Sequence, residues 1–502
     1  MQINHIIVQA GGKGTRMEHL TRNKPKALVP VNNLPMLFHL FESFPEKHFI
    51  IIGDYKADVL EKYLKAFAAV NYDFVCCTGK TGTCAGLQDA LSYVPDDQAF
   101  MLTWCDLILP KDYAIPDASD NYVGISKDFK CRWSYTNGQF EEMPSIDQGV
   151  AGHFLFENKK YLDEVPAEGE FVRWLQSRKM VFTELPLYRT HEYGLISEWE
   201  KLPKLKCRPF NEVLIQDDRL IKRPITAQGE ALAKSEIAWY QKLEGKNFAN
   251  LPKIYSYDPL TMELIDGKNI YEYEDLPYEK KLDMLGQIIS CLKEIHQMES
   301  IPADAASYEN AYLGKTKDRL AKVKDLVPFA DRETVVINGK ECRNIFFCWD
   351  EVTEKVMAYM PEYFCFIHGD CTFSNMMMKQ DHIPVLIDPR GYFGYTAMDG
   401  DVAYDWAKLY YSLVGNYDQF NLKRFDLRIE EDQVHLTIKS NQWEALEEDF
   451  FNLIGDEISK PQMKLLHAII WLSLTTYAWE DYDSICGAFY NGLCYLEDAL
   501  SC

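Results

Sequence analysis

HIIVQAGGKGTRM, residues 5–17, runs an unbroken apolar stretch into a loop holding three glycines, a lysine and an arginine. Continuous apolar character over a short run points to a strand buried on both faces. Gly11, Gly12 and Gly14 allow the backbone to turn sharply and to approach an anion without Cβ clashes. Amides exposed in such a loop cradle anionic oxygens. Lys13 and Arg16 add charge, and Arg16 can grip a phosphate through two N–H groups. A dinucleotide fingerprint requires a third glycine three residues after Gly14, and Met17 stands there. A Walker loop is absent too, because GKT at 79–81 has Phe74 where the first glycine is required. Alone, the loop is either a phosphate cradle or an ordinary strand-to-helix turn.

The surrounding residues alternate strand-like and helix-like segments. MLFHLFESF (36–44) reads as a helix, HFIIIGD (48–54) as a strand, KADVLEKYLKAF (56–67) as a helix and YDFVCCTG (72–79) as a strand. GLQDALSYV (86–94) and AFMLTWCDLIL (99–109) continue the series. This pattern predicts an α/β domain with a doubly wound, mostly parallel sheet. Ligands of such sheets gather beyond the carboxyl ends of the strands.

A chain of 502 residues exceeds one ordinary core. The net charge of −23 excludes a broad nucleic-acid-binding face, so functional cations are expected in local pockets for small anions. Fourteen cysteines show no CxxC spacing, which favours reduced thiols over a zinc or redox motif. The start of the chain lacks signal-peptide character. The most apolar run, LLHAIIWLSLTTYAW (465–479), contains His467 and falls short of the roughly 20 residues a membrane span needs. A cytoplasmic protein without a membrane partner is the expectation.

At EWEKLPKLKCRPF (198–210) two prolines and mixed charge suit a boundary. The domains are placed at 1–204 and 205–502, the second with a small lobe to about 270 and a helical lobe from about 271. EVLIQDDRLIKRPI (212–225) predicts a hairpin turning at Asp217-Asp218. TVVINGKECRNI (334–345) and FDLRIEEDQVHLTI (425–438) predict two more.

NKPKALVPVNNLPML (23–37) follows the glycine loop with Lys24 and Lys26 around a rigid proline. Loop and segment together resemble the nucleotide-sugar and phosphocholine nucleotidyltransferases, whose signature is G-x-G-T-R followed by P-K-x-L-x-P-V. The resemblance extends to GTCAG (82–86), to MLTWCDLIL (101–109), to DQGVAGHFLF (147–156) on the acceptor side, and to THEYGLISEWEKL (190–202). It implies that Gly11, Gly12, Gly14, Gly82 and Thr83 contact the nucleotide. It implies Mg²⁺ ligands at Asp106 and Glu192, where a carboxylate is a hard oxygen donor. Arg16 would hold the leaving pyrophosphate and Lys26 would steer the incoming or α-phosphate. The reaction is attack of a phosphate monoester on the α-phosphorus of a nucleoside triphosphate, without a covalent nucleophile.

FIHGDCTFSNMMM (366–378) and IPVLIDPRG (383–391) carry H-G-D-x-x-x-x-N followed by an apolar strand and an aspartate. These resemble the aminoglycoside phosphotransferase and choline kinase family, relatives of protein kinases with a two-lobed α+β fold. The resemblance implies Asp370 as the group accepting the substrate hydroxyl proton, and Asn375 and Asp388 as Mg²⁺ ligands. His368 reads as a brace of the loop, and Asp405 in GDVAYDWAKLYYSL (400–413) as its tie to a helix. Lys222 and Glu236 fit the ATP-binding lysine and its helical glutamate, with Lys234 competing, and the backbone around Met262–Leu264 would meet adenine. Arg390 departs from the choline kinases; it would take part in transfer, recognise an anionic substrate or pair with an acid. Trp471, Trp479 and Tyr482, with Glu480, Asp481 and Asp483, form either a cage for a quaternary ammonium or ordinary core.

One module makes phosphate esters and the other consumes them. The expectation is a bifunctional enzyme that phosphorylates a small alcohol with ATP and couples the phosphoester to CTP (or UTP). Choline or a related amino alcohol leads, with a sugar 1-kinase joined to a uridylyl- or cytidylyltransferase as the alternative; either product would feed surface-glycan or capsule assembly. A regulatory protein of degenerate modules would lack catalytic acids, yet Asp106, Asp370, Asn375 and Asp388 are present.

Overall fold

Ile6, Ile7 and Val8 are fully buried, and the strand that carries them, His5–Gln9, is hydrogen-bonded on both edges. In the computed structural model, which describes residues 3–116, 120–202, 210–379 and 383–501, this strand lies parallel to His48–Gly53 on one side and to Phe100–Trp104 on the other. Asn71–Cys76 extends the parallel set beyond His48–Gly53. The predicted helices form at Met36–Ser43, Ala57–Phe67 and Leu87–Leu91.

The sheet is parallel-rich, and it continues into an antiparallel flank that the alternation of segments did not foresee. Gly149–Phe156 runs antiparallel to both Phe100–Trp104 and Tyr122–Ser126, and the latter pairs in parallel with Thr183–Leu187. Every residue of Gly149–Phe156 is buried. A strand without an exposed face carries no alternation, so its direction is invisible in the sequence.

Parallel neighbours present their carboxyl ends at one edge of the sheet. The loop after His5–Gln9 and the turn after Phe100–Trp104 therefore share that edge, which brings the glycine loop and Asp106 together. Gln9 secures the arrangement by donating its amide to the carbonyls of Thr83, at 2.8 Å, and Ala85, at 3.3 Å.

The chain divides into two compact units, the first running to the prolines near 203 and including the short return Glu480–Asp483. The predicted boundary falls at 203–209, outside the described residues. The second unit opens with a four-stranded antiparallel sheet in the order Asn211–Gln216, Arg219–Pro224, Leu260–Glu263, Ile254–Tyr257. The expected hairpin turns at Asp217, whose φ is +54°. The helix Ala227–Leu243 follows, capped by the Thr226 side chain. The remainder is mainly helical.

The other two hairpins form at Thr334–Ile337 with Lys340–Arg343, and at Phe425–Ile429 with Gln433–Ile438. They also join each other, through parallel pairing of Val336 with Gln433 and Ile337 with Val434. Hairpin signals are local, whereas this union links distant segments and leaves no local trace. The apolar run near 465–479 forms the helix Lys460–Leu474, packed within the second unit, and no described helix is long and apolar enough to cross a membrane.

Gly152 shows how closely the first sheet is packed. Its φ is +73°, and a Cβ there would lie 1.5 Å from the Trp104 ring. Gly152→Ala is expected to destabilise the first unit by about 2–4 kcal/mol, from left-handed strain plus overpacking. Thermal unfolding of the full chain should show a lowered transition, and an unchanged melting profile would contradict this packing.

Candidate functional site

The chain reverses after Trp104 so that Asp106 sits in a turn, and Leu107–Ile108 then pairs antiparallel with His191–Glu192. The Tyr193 amide donates to the Asp106 carbonyl at 3.2 Å. Two residues distant in sequence, Asp106 and Glu192, are thereby held side by side. The Lys26 ammonium bonds the Asp106 carboxylate, and Arg16 reaches Glu192 at 4.0 Å. A Cβ on Gly194 would lie 2.5 Å from Glu192 Oε1, 3.2 Å from Arg16 Nη2 and 3.2 Å from Lys26 Nζ, so these groups converge on one bare backbone position.

The electrostatics follow from burial. Burial opposes the Lys26 charge but is outweighed by Asp106, leaving its pKa above the usual lysine value. Burial, then the neighbouring Asp106 carboxylate, pushes Glu192 up to about 7. Two carboxylates pressed together in a partly desolvated place form a hard-oxygen donor pair, which fits a divalent cation such as Mg²⁺.

The three loop glycines do three different things. Gly11 lets Asp54 approach, since a Cβ would come within 2.7 Å of Asp54 Cβ. Gly14 has φ of +64° and accepts the Met17 amide at 2.8 Å, which starts the short helix Thr15–Thr21. Gly12 is exposed and a Cβ there would meet nothing. Of the three, only Gly12 offers backbone without a structural reason for its missing side chain.

Gly82, with φ of +87°, packs directly against the Gly169 carbonyl. The Thr83 hydroxyl accepts the Phe171 amide at 2.8 Å, at the start of the helix Phe171–Ser177. The structure thus gives Thr83 a bracing role.

In the second unit Asp388 takes a left-handed conformation, φ +51°, after the strand Pro384–Leu386. Lys222 Nζ lies 2.7 Å from both Glu236 and Asp388. Burial opposes its charge, but Asp388 and Glu236 outweigh it and hold Lys222 protonated. Lys234 is exposed, so the competing assignment falls away. Asn375 donates its side-chain amide to the Asp370 carbonyl at 2.8 Å and to its carboxylate at 2.9 Å. The Ile387 amide donates to the Asn375 carbonyl at 3.0 Å, bringing Asn375 close to Asp388 along the backbone.

The loop that carries His368, Asp370 and Asn375 hangs on one buried carboxylate. Asp405 accepts the amides of His368, at 2.8 Å, and Gly369, at 2.7 Å, and contacts His296 at 3.0 Å. Burial lowers the His368 pKa, and its ring bonds the Ile387 carbonyl at 3.0 Å, as a brace requires. Lys408, which sequence reasoning missed, lies 2.9 Å from Asp370 Oδ1. Its signal was spacing: it stands one helical turn beyond Tyr404 in YDWAK.

Two expectations are narrowed by the contacts. The amides of Glu263 and Leu264 donate to the carbonyls of Lys253 and Asp218, and Met262 lies in an interior strand of its sheet, so of the backbone groups expected to meet adenine these two amides are engaged. For Trp471 and Tyr482 the core reading holds. Trp471 is fully buried, donates to His467 at 3.0 Å and packs 4.7 Å from Tyr411, while Tyr482 is buried. Asp481 and Asp483 both hold the Lys24 ammonium, Asp481 at 3.0 Å.

Residues 6–124 match the MobA-like NTP transferase domain, and residues 210–430 match the Phosphotransferase enzyme family. The chain joins a nucleotidyltransferase domain to a phosphotransferase domain. Curated relatives of the transferase domain include the bifunctional protein GlmU of Methanococcus maripaludis, 27% identical over 24% of this chain and 29% of that protein. The UTP–glucose-1-phosphate uridylyltransferase AglF of Haloferax volcanii is 29% identical over 19% of this chain and 41% of its own length. The chain thus spans well under half the length of these relatives. The glucose-1-phosphate cytidylyltransferase of Salmonella typhimurium is 27% identical over 41% of this chain and 94% of its own length. Similar solved structures include the inositol-1-phosphate CTP transferase from T. maritima, at 17% identity and TM-score 0.34, covering 39% of this chain and 91% of that one. The CTP:phosphocholine cytidylyltransferase from Streptococcus pneumoniae has 20% identity and TM-score 0.33, covering 40% of this chain and 97% of that one.

The glycine assignments separate by experiment. Gly11→Ala should destabilise the transferase domain through the Asp54 contact, by about 1–3 kcal/mol. Gly12→Ala should leave thermal unfolding unchanged while raising the KM for nucleoside triphosphate. An unaltered KM in Gly12→Ala would remove this loop from nucleotide binding.

Proposed function

We propose that the chain is a two-step activating enzyme. Its kinase domain transfers the γ-phosphoryl group of ATP to the hydroxyl of a small alcohol or sugar. Its transferase domain then joins the phosphate monoester to the cytidylyl group of CTP and releases pyrophosphate. The observation that carries this reading is that one chain holds two polar constellations of complementary chemistry: Lys222, Asp370, Asn375 and Asp388 in one domain, and Arg16, Lys26, Asp106 and Glu192 in the other.

In the kinase step Asp370 accepts the hydroxyl proton while Asn375 and Lys408 fix its carboxylate. Lys222, steadied by Glu236, faces the ATP phosphates. In the transfer step Lys26 neutralises charge at the phosphate under attack, and Arg16, whose side chain is 65% exposed, is free to grip the departing pyrophosphate. Asp106 with Glu192, and Asn375 with Asp388, would hold Mg²⁺, whose charge would offset that of the phosphates. Among the described residues no group of three or more His, Cys, Asp or Glu gathers into a metal cluster, so the nucleotide's own oxygens would complete either shell.

Use of CTP is supported by the relative named a glucose-1-phosphate cytidylyltransferase, matched over nearly its whole length. The same relative favours a sugar or sugar-like acceptor. Choline gains no support from the stretch near 480, because Trp471 packs in the core and Asp481 and Asp483 hold Lys24. An activated alcohol or sugar of this kind would feed surface-glycan or capsule assembly.

Phosphorus NMR of the full chain with ATP, CTP, Mg²⁺ and an acceptor panel should show ADP, pyrophosphate and a CDP-linked product. Arg16→Ala should cut pyrophosphate release by about 100-fold or more while ADP still forms. Asp370→Asn should stop ADP formation yet leave transfer from a supplied phosphoester. Loss of both activities in either variant would overturn the division of labour.

A further inference from the structure

Around Asp370 the kinase domain gathers cations out of proportion to the acids that face them. Arg390 donates Nη1 to the Tyr404 hydroxyl at 2.6 Å and Nη2 to the Tyr392 hydroxyl at 3.1 Å, and lies 4.6 Å over the Tyr392 ring. Lys315 donates to the same Tyr404 oxygen at 3.2 Å. Lys408, one turn beyond Tyr404 on the helix Val402–Leu413, holds Asp370. Two basic side chains therefore meet at one phenol oxygen, with a third beside them on the Asp370 carboxylate.

Among the described residues neither Arg390 nor Lys315 has an acidic side chain within ion-pair distance. Phenol oxygens orient a guanidinium without neutralising it. Burial, then Arg390, Arg319 and Lys408, hold Lys315 well below the usual lysine range, as crowded like charges should. The chain carries a net charge of −23, so this is no extension of a basic surface. Arg390 is rooted under the catalytic loop: its amide donates to the His368 carbonyl at 2.9 Å, and a Cβ on Gly369 would lie 2.9 Å from Arg390 Cβ. Lys315 follows a π-helical turn, Asn310–Gly314, a device that re-aims the residues after it and recurs at functional sites. Asp370 is the acid that faces all three basic groups, and Lys408 already holds it, so basic groups outnumber acid in a half-buried place and leave a deficit that an anionic ligand supplies.

We infer that the alcohol phosphorylated by this domain is itself an anion, a hydroxyl-bearing small molecule whose phosphate or carboxylate group is held by Arg390 and Lys315. The inference rests on the kinase half of the proposed function and names its substrate class. The hydroxyl oxygen attacks the γ-phosphorus, the bond to the β–γ bridging oxygen breaks, ADP leaves and the hydroxyl proton passes to Asp370. The product keeps its original anionic group and gains a phosphate monoester. A quaternary ammonium acceptor would instead meet like charge at this floor.

The test is calorimetric titration of the full chain, loaded with Mg²⁺ and a non-hydrolysable ATP analogue, with glycerol 3-phosphate, glycerate, glycerol and choline as matched probes. At least one anionic probe should bind about 10-fold or more tightly than glycerol, and the better of the two tells phosphate from carboxylate recognition. Arg390→Gln and, as a volume-conserving second variant, Lys315→Met should each weaken that probe by about 10- to 100-fold. Affinity for the ATP analogue should stay within about two-fold. Equal binding of glycerol or choline, or loss of nucleotide rather than probe affinity in both variants, would overturn the inference. Failure of the proposed kinase reaction is separately visible, as absence of analogue binding in the unmutated chain.

Discussion

A carboxylate withdrawn from water requires a counter-charge, and each acid placed at the two candidate sites is met by a basic or amide side chain from another part of the chain. Lys26 holds Asp106, Lys222 holds Asp388, and Lys408 and Asn375 hold Asp370. Each lysine carries a raised pKa, because the partner carboxylate outweighs the burial that opposes its charge. Breaking such a pair strands the remaining charge, at a cost of about 3–5 kcal/mol where burial is deep. The same contacts orient the acids, so stability and readiness for phosphate chemistry share one origin. The Arg390 and Lys315 pair is the exception to this balance, and that imbalance carries the assignment of an anionic acceptor.

Backbone geometry supplies the rest of the preorganisation. In the transferase domain, adjacent parallel strands deliver the glycine loop and Asp106 to one edge, and a two-residue antiparallel pairing adds Glu192. In the kinase domain, Asp405 gathers two successive amides of the catalytic loop and a histidine from the helix Tyr278–His296. Each device fixes its loop largely through main-chain groups.

Much of this was legible in short stretches. Apolar runs, glycine positions and the Asn-Gly turn at 338–339 follow from the φ and ψ each residue type permits, and they appear where expected. The pairing of Lys222 with Glu236 was legible because strand and following helix are adjacent in the chain. The aromatic-rich stretch after 471 was ambiguous for an equally physical reason. Aromatics at helical spacing fit a ligand box or a core alike, and only the partners of Trp471, Asp481 and Asp483 separate the two.

By itself the sequence determined the resemblance to two domain families and the loops and acids that carry it, because each is encoded within a few residues by side-chain chemistry and glycine freedom. The tertiary structure decided the antiparallel flank of the first sheet, the union of two distant hairpins, and the meeting of Lys315, Arg390 and Lys408 around Tyr404 and Asp370. These depend on which elements pack together, and neither local conformational preference nor hydrophobic pattern specifies a partner across many tens of residues.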